Sequence, residues 1–408
     1  MKLDKNALQA IILYISSLAG VLIGVLSSVI NTRYLSPQNY GDVRYVQNII
    51  NFFSCIFLLG YFMSGCRLLA VANNKMEQSG IKGVMVVYLF KTILMMIGIL
   101  FLCYGWHTYF KQSFDASLFL IAIPVCSQPL LFNYIDTTSQ GDNQIGRIAL
   151  ARVLPASFYV IIAWFVYNNM QVTSSMMILL QWGIAVIVLS CIIISSKPSF
   201  YQYNKFKLAL KKENKEYGIQ LYWGSLAMVA TQYISGITLG LYNADNRQVA
   251  FFTLALTVSM PLSMLPSIVG TTYFKRFATE NVIPKEVIKG TAILTIASLV
   301  GFVILINPIV NFLYPESYSQ VGLYSSILAV GKCIHGTGDM INRFLGAHRF
   351  GKDIRNASFV TGFFLVFGSL IIVYYYSIWG AVATNVIAST AYTLCLIYYY
   401  LKYLKTRK

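Results

Sequence analysis

The sequence predicts an all-α polytopic membrane protein, with about twelve transmembrane helices in two six-helix halves around a central cavity. Three observations predict it: twelve apolar stretches, basic residues gathered on alternate loops, and a short motif that recurs at the same place in each half. The 408 residues are 57% hydrophobic and 11% charged, where a soluble domain carries about a quarter charged residues. Aromatic residues reach 15%, with 29 tyrosines. Their apolar rings and polar hydroxyls suit membrane interfaces and polar lumens.

A helix needs about 20 apolar residues to cross about 30 Å of hydrocarbon, and it satisfies its own backbone in lipid. The stretches fall near 8–30, 49–71, 83–105, 116–136, 148–167, 176–196, 221–242, 249–270, 288–313, 321–341, 357–376 and 378–401. The first follows a short basic segment, runs on too far for a signal peptide and lacks a small-residue cleavage site, so it is read as a span. Within it Ser16, Gly20, Gly24 and Ser28 form a stripe suited to close helix packing. Span four carries Pro124, Gln128, Pro129, Asn133 and Asp136, and span eight carries Pro261 and Pro266. Prolines kink membrane helices, either to let two halves rock or simply to pack.

With the N-terminus inside, twenty-five of the 31 basic residues fall on inner segments, and four (Arg33, Arg44, Lys111 and Arg247) on outer ones. The remaining two, Lys91 and Lys332, lie within spans. This asymmetry places both termini in the cytoplasm. It also accounts for the net charge of +17 without a nucleic-acid partner. The longest hydrophilic segment, 197–216, is a basic cytoplasmic linker between an N-terminal half, 1–196, and a C-terminal half, 217–408. No G-x-x-x-x-G-K-[ST] phosphate loop occurs, which excludes a self-contained ATP-driven pump. The seven cysteines all lie in apolar stretches, without a C-x-x-C pair or a Cys/His cluster, so neither a metal nor another cofactor is expected.

The loop after span four contains Gly141-Asp-Asn-Gln-Ile-Gly-Arg147. The loop after span ten contains Gly346-Ala-His-Arg-Phe-Gly-Lys352, 205 positions later. Tyr34–Tyr45 also aligns loosely with Leu241–Phe252, at an offset of 207. Two matches at nearly one offset point to duplication. Six is even, so both halves keep one orientation and would be related by an axis along the membrane normal. The loop glycines themselves are read as tight-turn residues.

Ionisable groups within a span are costly and usually face a water-filled cavity. In span ten Lys332, His335 and Asp339 are spaced i, i+3, i+7, with Arg343 four further on, so all share one helix face. They line a cavity or form an internal packing network; the cavity is the expectation. Lys91 lies about eight residues, or about 12 Å, into span three, and either snorkels or faces the lumen. Arg67 closes span two on the inner side, where snorkelling is the stronger alternative. Arg33 flanks the first outer turn and could ring the outer mouth. The candidate cations Lys332, Lys91, Arg33 and Arg67 outnumber the acids Asp339 and Asp136, and a cationic low-dielectric enclosure favours an anionic substrate. Asp339, Asp136 and His335 are the candidates for ion coupling.

The segment Asn31-Thr-Arg-Tyr-Leu-Ser-Pro-Gln-Asn-Tyr-Gly-Asp42 is similar to the first-loop signature of polysaccharide-transport proteins. Gly65-Cys-Arg67 and Ala70 resemble the end of that family's second helix. The sharp motif is N-terminal; architecture carries the likeness elsewhere. The chain resembles a Wzx-type O-antigen flippase of the multidrug/oligosaccharidyl-lipid/polysaccharide exporter superfamily. That resemblance implies transfer of an undecaprenyl-pyrophosphate-linked oligosaccharide from the inner to the outer leaflet of a bacterial inner membrane, by ion-driven alternating access. It also implies contact with membrane lipids, a polysaccharide polymerase and a chain-length regulator. Arg33 matches the family's first-loop arginine; Lys91 and Lys332 match no strict motif. A multidrug-type exporter of cationic drugs would call for lumen acids in the first six spans, where only Asp136 qualifies. A membrane polymerase would need large charged outer loops, which are lacking here, so the chain is expected not to be an enzyme.

Overall fold

The structure, a computed structural model, describes residues 5–111 and 113–406. Lys2, Arg407 and Lys408, counted above among the inner basic residues, lie outside the described residues. Every regular element among the described residues is helical.

The first half runs α1 (Lys5–Tyr34), α2 (Pro37–Phe57), α3 (Tyr61–Val71), α4 (Lys75–Phe110), α5 (Ser117–Ile121), α6 (Gln128–Gly141), α7 (Ile145–Asn169) and α8 (Ser174–Ser195). Then come α9 (Tyr203–Glu213), α10 (Ile219–Ser225), α11 (Thr231–Tyr242), α12 (Arg247–Thr272), the single turn α13 (Phe274–Phe277), α14 (Lys285–Leu313), α15 (Val321–Ala347) and α16 (Gly351–Thr406). Seven of these helices are long and apolar enough to cross a membrane, and the pair α2 and α3, bent by 57°, makes an eighth span. α16 holds two spans, because Ser377 breaks it at φ 50 and ψ −128. The other three apolar stretches are helical too, each departing from a plain apolar rod for a visible reason. Span four is divided into α5, a 3-10 turn and α6 around Pro124 and Pro129. Span seven is preceded by a π-helical turn at Asn214–Gly218 and interrupted by another at Leu226–Ala230. α15 carries three charged side chains.

The surface reverses the soluble pattern. Leu22, Ile187 and Ile304 are 55%, 66% and 66% exposed, while Asn31, Thr32, Gln47 and Ser235 are buried. Lipid solvates the former and the bundle satisfies the latter. The chain is a multi-pass membrane protein.

Two expectations of extent change. The helix of span two starts at Pro37, not near residue 49. Ser36 caps it, its Oγ accepting the Asn39 N–H at 3.3 Å, and Pro37 at the first turn needs no N–H partner. Hydropathy misses this stretch because Asn39, Asp42, Arg44 and Gln47 are polar. The 197–216 linker is also not a plain loop. It forms α9, whose Phe206 and Leu210 are buried with Ile81, Leu130 and Leu189, while Lys205, Lys211 and Lys212 stay exposed.

The chain divides into two compact units. Unit 1 is Met1–Leu35 with Tyr45–Leu226; unit 2 is Ser36–Arg44 with Ala227–Lys408. In unit 1, α1 packs along α7, where Tyr159 donates to Asn31 Oδ1 and its hydroxyl lies 2.9 Å from that of Tyr167. In unit 2, α11 packs along the first half of α16, where the Ser235 and Ser369 hydroxyls meet at 2.7 Å. Tyr34 meets Tyr167 edge to face at 5.6 Å; Tyr242 meets Tyr374 in the same way at 5.3 Å. The residues of the two pairs differ by 208 and 207 positions, so each unit repeats one helix pairing.

Candidate functional site

The candidate site is built on α15, in unit 2. Glycines let its neighbours approach. A Cβ on Gly336 would lie 2.5 Å from the Ser263 carbonyl of α12, and one on Gly338 would lie 2.6 Å from Thr393 Oγ1 of α16. Thr393 in turn donates to the Ile334 carbonyl at 2.8 Å. At about 100° per residue, Lys332 and Asp339 lie opposite the exposed Leu323 and Val330. α15 therefore has an apolar exposed side and a polar, half-buried side.

On the polar side Tyr392 of α16 is the hub. It is 1% exposed. Its hydroxyl donates to Asp339 Oδ1 at 3.0 Å and accepts from Asn342 Nδ2 at 2.8 Å. His335 stacks on the Tyr392 ring at 4.6 Å, with the planes 21° apart. Lys332 reaches Asp339 only through space, and His335 and Arg343 act on the same carboxylate. One acid thus feels the charge of three basic groups on its own helix. Such a cluster can hold an anion, and Asp339 and His335, both against Tyr392, are proton-carrying groups close to one another.

The structure brings Lys332, His335 and Asp339 together, with Arg343 exposed at the next turn. The unit 1 candidates are spread over separate elements. Lys91 is exposed on α4, its ammonium 5.3 Å from the Tyr88 ring centroid, and Tyr88 stacks on Tyr61 at 4.0 Å. Arg67 pairs with Glu213 at 2.8 Å and lies over the Tyr217 ring at 4.6 Å. Arg33 is exposed at the last turn of α1. Asp136 pairs with Arg152 at 3.4 Å and accepts from Gln140 at 2.7 Å. Arg152 also donates to Ser17 at 2.5 Å.

Sequence reasoning missed two features. Tyr392 had no signal beyond being one tyrosine among many. Lys82 stood among the inner-loop cations, yet it is 5% exposed and pairs with Asp142 at 2.5 Å, with Arg147 on the same oxygen at 3.2 Å. The first glycine loop is thus closed by an ion triad whose Lys82–Asp142 pair is buried. Its acid, Asp142, and both flanking glycines were in view, but the partner on α4 was not. Among the described residues, no group of three or more His, Cys, Asp or Glu side chains is placed to hold a metal.

Residues 8–280 match the family described as polysaccharide biosynthesis protein. No curated protein matches the chain. Solved structures do. The lipid II flippase MurJ in an inward closed conformation superposes with a TM-score of 0.71 at 15% identity, over 96% of this chain and 87% of that one. An inward-facing multidrug resistance MATE family transporter of the MOP superfamily gives 0.69 at 15%, over 95% and 96%. A MOP superfamily transporter from Pyrococcus furiosus, described as having a binding pocket of reverse polarity, gives 0.61 at 13%, over 98% and 95%. At these identities the likeness is one of fold, and the fold is that of MOP-superfamily transporters.

Proposed function

Since this chain belongs to the polysaccharide biosynthesis protein family, we propose that it flips an undecaprenyl-pyrophosphate-linked O-antigen or similar repeat unit from the cytoplasmic to the periplasmic leaflet. The reading rests on one arrangement: three basic groups around a single carboxylate, on a polar helix side inside an apolar bundle. A pyrophosphate brings negative charge into a region of low dielectric, where opposite charges attract strongly. Lys332, near the middle of α15 and on this polar side, is the side chain best placed to meet it. Lys91 and Arg33 add exposed positive charge in unit 1, and Arg67 contributes when its pair with Glu213 opens. Asp339, with His335 and Tyr392 beside it, is the proton-binding group that would couple transport to an ion gradient; Asp136 is the second candidate. The basic loops support an orientation with both termini in the cytoplasm of a bacterium and the bundle in its inner membrane. The lipid-linked repeat unit is the substrate, and the polymerase and chain-length regulator act after it.

Complementation tests this. In a strain lacking its own flippase, the unmodified chain should restore surface polysaccharide, and Lys332→Ala and Asp339→Ala should each cut it by about tenfold or more at equal membrane abundance. Lys211→Ala, on the exposed side of α9, should leave it unchanged. Full activity of both α15 variants would remove the site. Failure of the unmodified chain in its native pathway would remove the transport reading.

A further inference from the structure

A cavity of about 580 Å³ opens in unit 2 where the start of α2, the start of α12 and the turn before α15 converge. By the orientation above it faces the outer side. We propose that it is a binding site for a neutral saccharide. Its walls carry the hydroxyls of Ser36 and Ser317 and the carboxamides of Gln38, Gln248 and Gln320. Each of these groups both donates and accepts, as the vicinal hydroxyls of a sugar do. Phe251, 7% exposed and set edge-on to Tyr318 at 6.2 Å, adds an aromatic ring to the lining, a surface suited to the C–H groups of a pyranose.

Two observations narrow the ligand. Gln248 Oε1 is shielded and makes no hydrogen bond among the described residues, so a rotation of this carboxamide toward the cavity would give a sugar hydroxyl an acceptor at no cost in internal hydrogen bonds. Among the described residues, the charged side chains of the wall are Asp245 and Arg247, which pair with each other at 3.3 Å. Asp245 also accepts the Arg247 backbone N–H at 3.0 Å, so the start of α12 already has its carboxylate. The wall therefore carries no uncompensated cation for a phosphate or an acidic sugar. The volume is that of a small-ligand pocket, enough for one or two sugar rings. Assigning the sugar to the transported cargo rests on the flippase reading; the chemistry of the cavity does not.

The test uses the full chain in lipid nanodiscs, free of sugar detergents, with maltose, lactose and diacetylchitobiose as probes in saturation-transfer NMR. At least one should bind. Gln248→Leu and Gln320→Ala should each weaken that binding by about tenfold, the scale of one lost hydrogen bond to a buried partner, while Lys211→Ala leaves it intact. Glucuronate should bind no better than glucose. Silence from all three disaccharides, or binding untouched by both glutamine variants, overturns the proposal. In complementation, slower export by the glutamine variants would assign the sugar to the cargo, and unchanged export would assign it to free saccharide; the site stands in both cases. Disaccharide binding by a chain that restores no surface polysaccharide would keep the cavity and remove the transport reading instead.

Discussion

Lys82, Asp142 and Arg147 meet where the side chains of the first two are only 6% and 4% exposed. Removing one member of such a group leaves the other charge buried and uncompensated, which costs roughly 3–5 kcal/mol. Asp142→Ala should therefore lower thermal stability in detergent sharply. The double variant Lys82→Met/Asp142→Leu, which removes both charges, should recover much of the loss. Equal melting of the single and double variants would contradict this. The triad also marks how far single residues are legible. Lys332, His335 and Asp339 could be placed together from spacing alone, since a helix fixes which neighbours share a side. Lys82 could not be paired with Asp142, because their contact joins elements 60 positions apart, and a lysine at a helix start reads as an ordinary topogenic charge. Tyr392 was hidden for the same reason: its partner Asp339 lies on another helix.

Helix ends and breaks were the least legible elements. α2 begins among polar residues that hydropathy averages away, and its bend falls at Leu59 and Gly60, both with positive φ (46 and 78). Glycine is needed at the second position on two grounds. Its backbone is left-handed, and a Cβ there would lie 2.6 Å from both Asn214 Oδ1 and the Gly218 carbonyl carbon. Asn214 ties this bend to the end of α9 by accepting from Ser64 at 3.1 Å and donating to the Leu59 carbonyl at 3.1 Å. Gly60→Ala should cost roughly 1–3 kcal/mol from backbone strain together with overpacking, seen as a lower melting temperature. A substitution at Gly98, whose Cβ would meet nothing within 4 Å, should be silent. A silent Gly60→Ala would mean that the bend relaxes freely. The long apolar helices α4, α8 and α14, by contrast, could be read directly, since continuous hydropathy leaves them no alternative in lipid.

At the scale of the whole molecule, hydropathy and charge asymmetry sufficed for the class: twelve apolar stretches became helices, and the fold is that of MOP-superfamily transporters. Orientation can be measured directly. In a background lacking the seven native cysteines, Arg247→Cys should react with an impermeant thiol reagent in intact cells, and Lys211→Cys only after the inner membrane is opened. The reverse pattern would invert the topology and move the saccharide cavity to the cytoplasmic side. What hydropathy could not show is that segment Ser36–Arg44 is built into unit 2. There Asn246 donates to Asp42 Oδ1 at 2.7 Å, and a Cβ on Gly41 would lie 1.9 Å from the Asn246 carbonyl oxygen. The ribosome makes this segment early, and its partners on α12 and in the turn before α15 only some 200 to 280 residues later. At about 5–20 residues per second, that delay is on the order of ten seconds to a minute. During it the polar groups of this stretch lack the partners that hold them in the folded chain, which makes it an early point of failure in assembly.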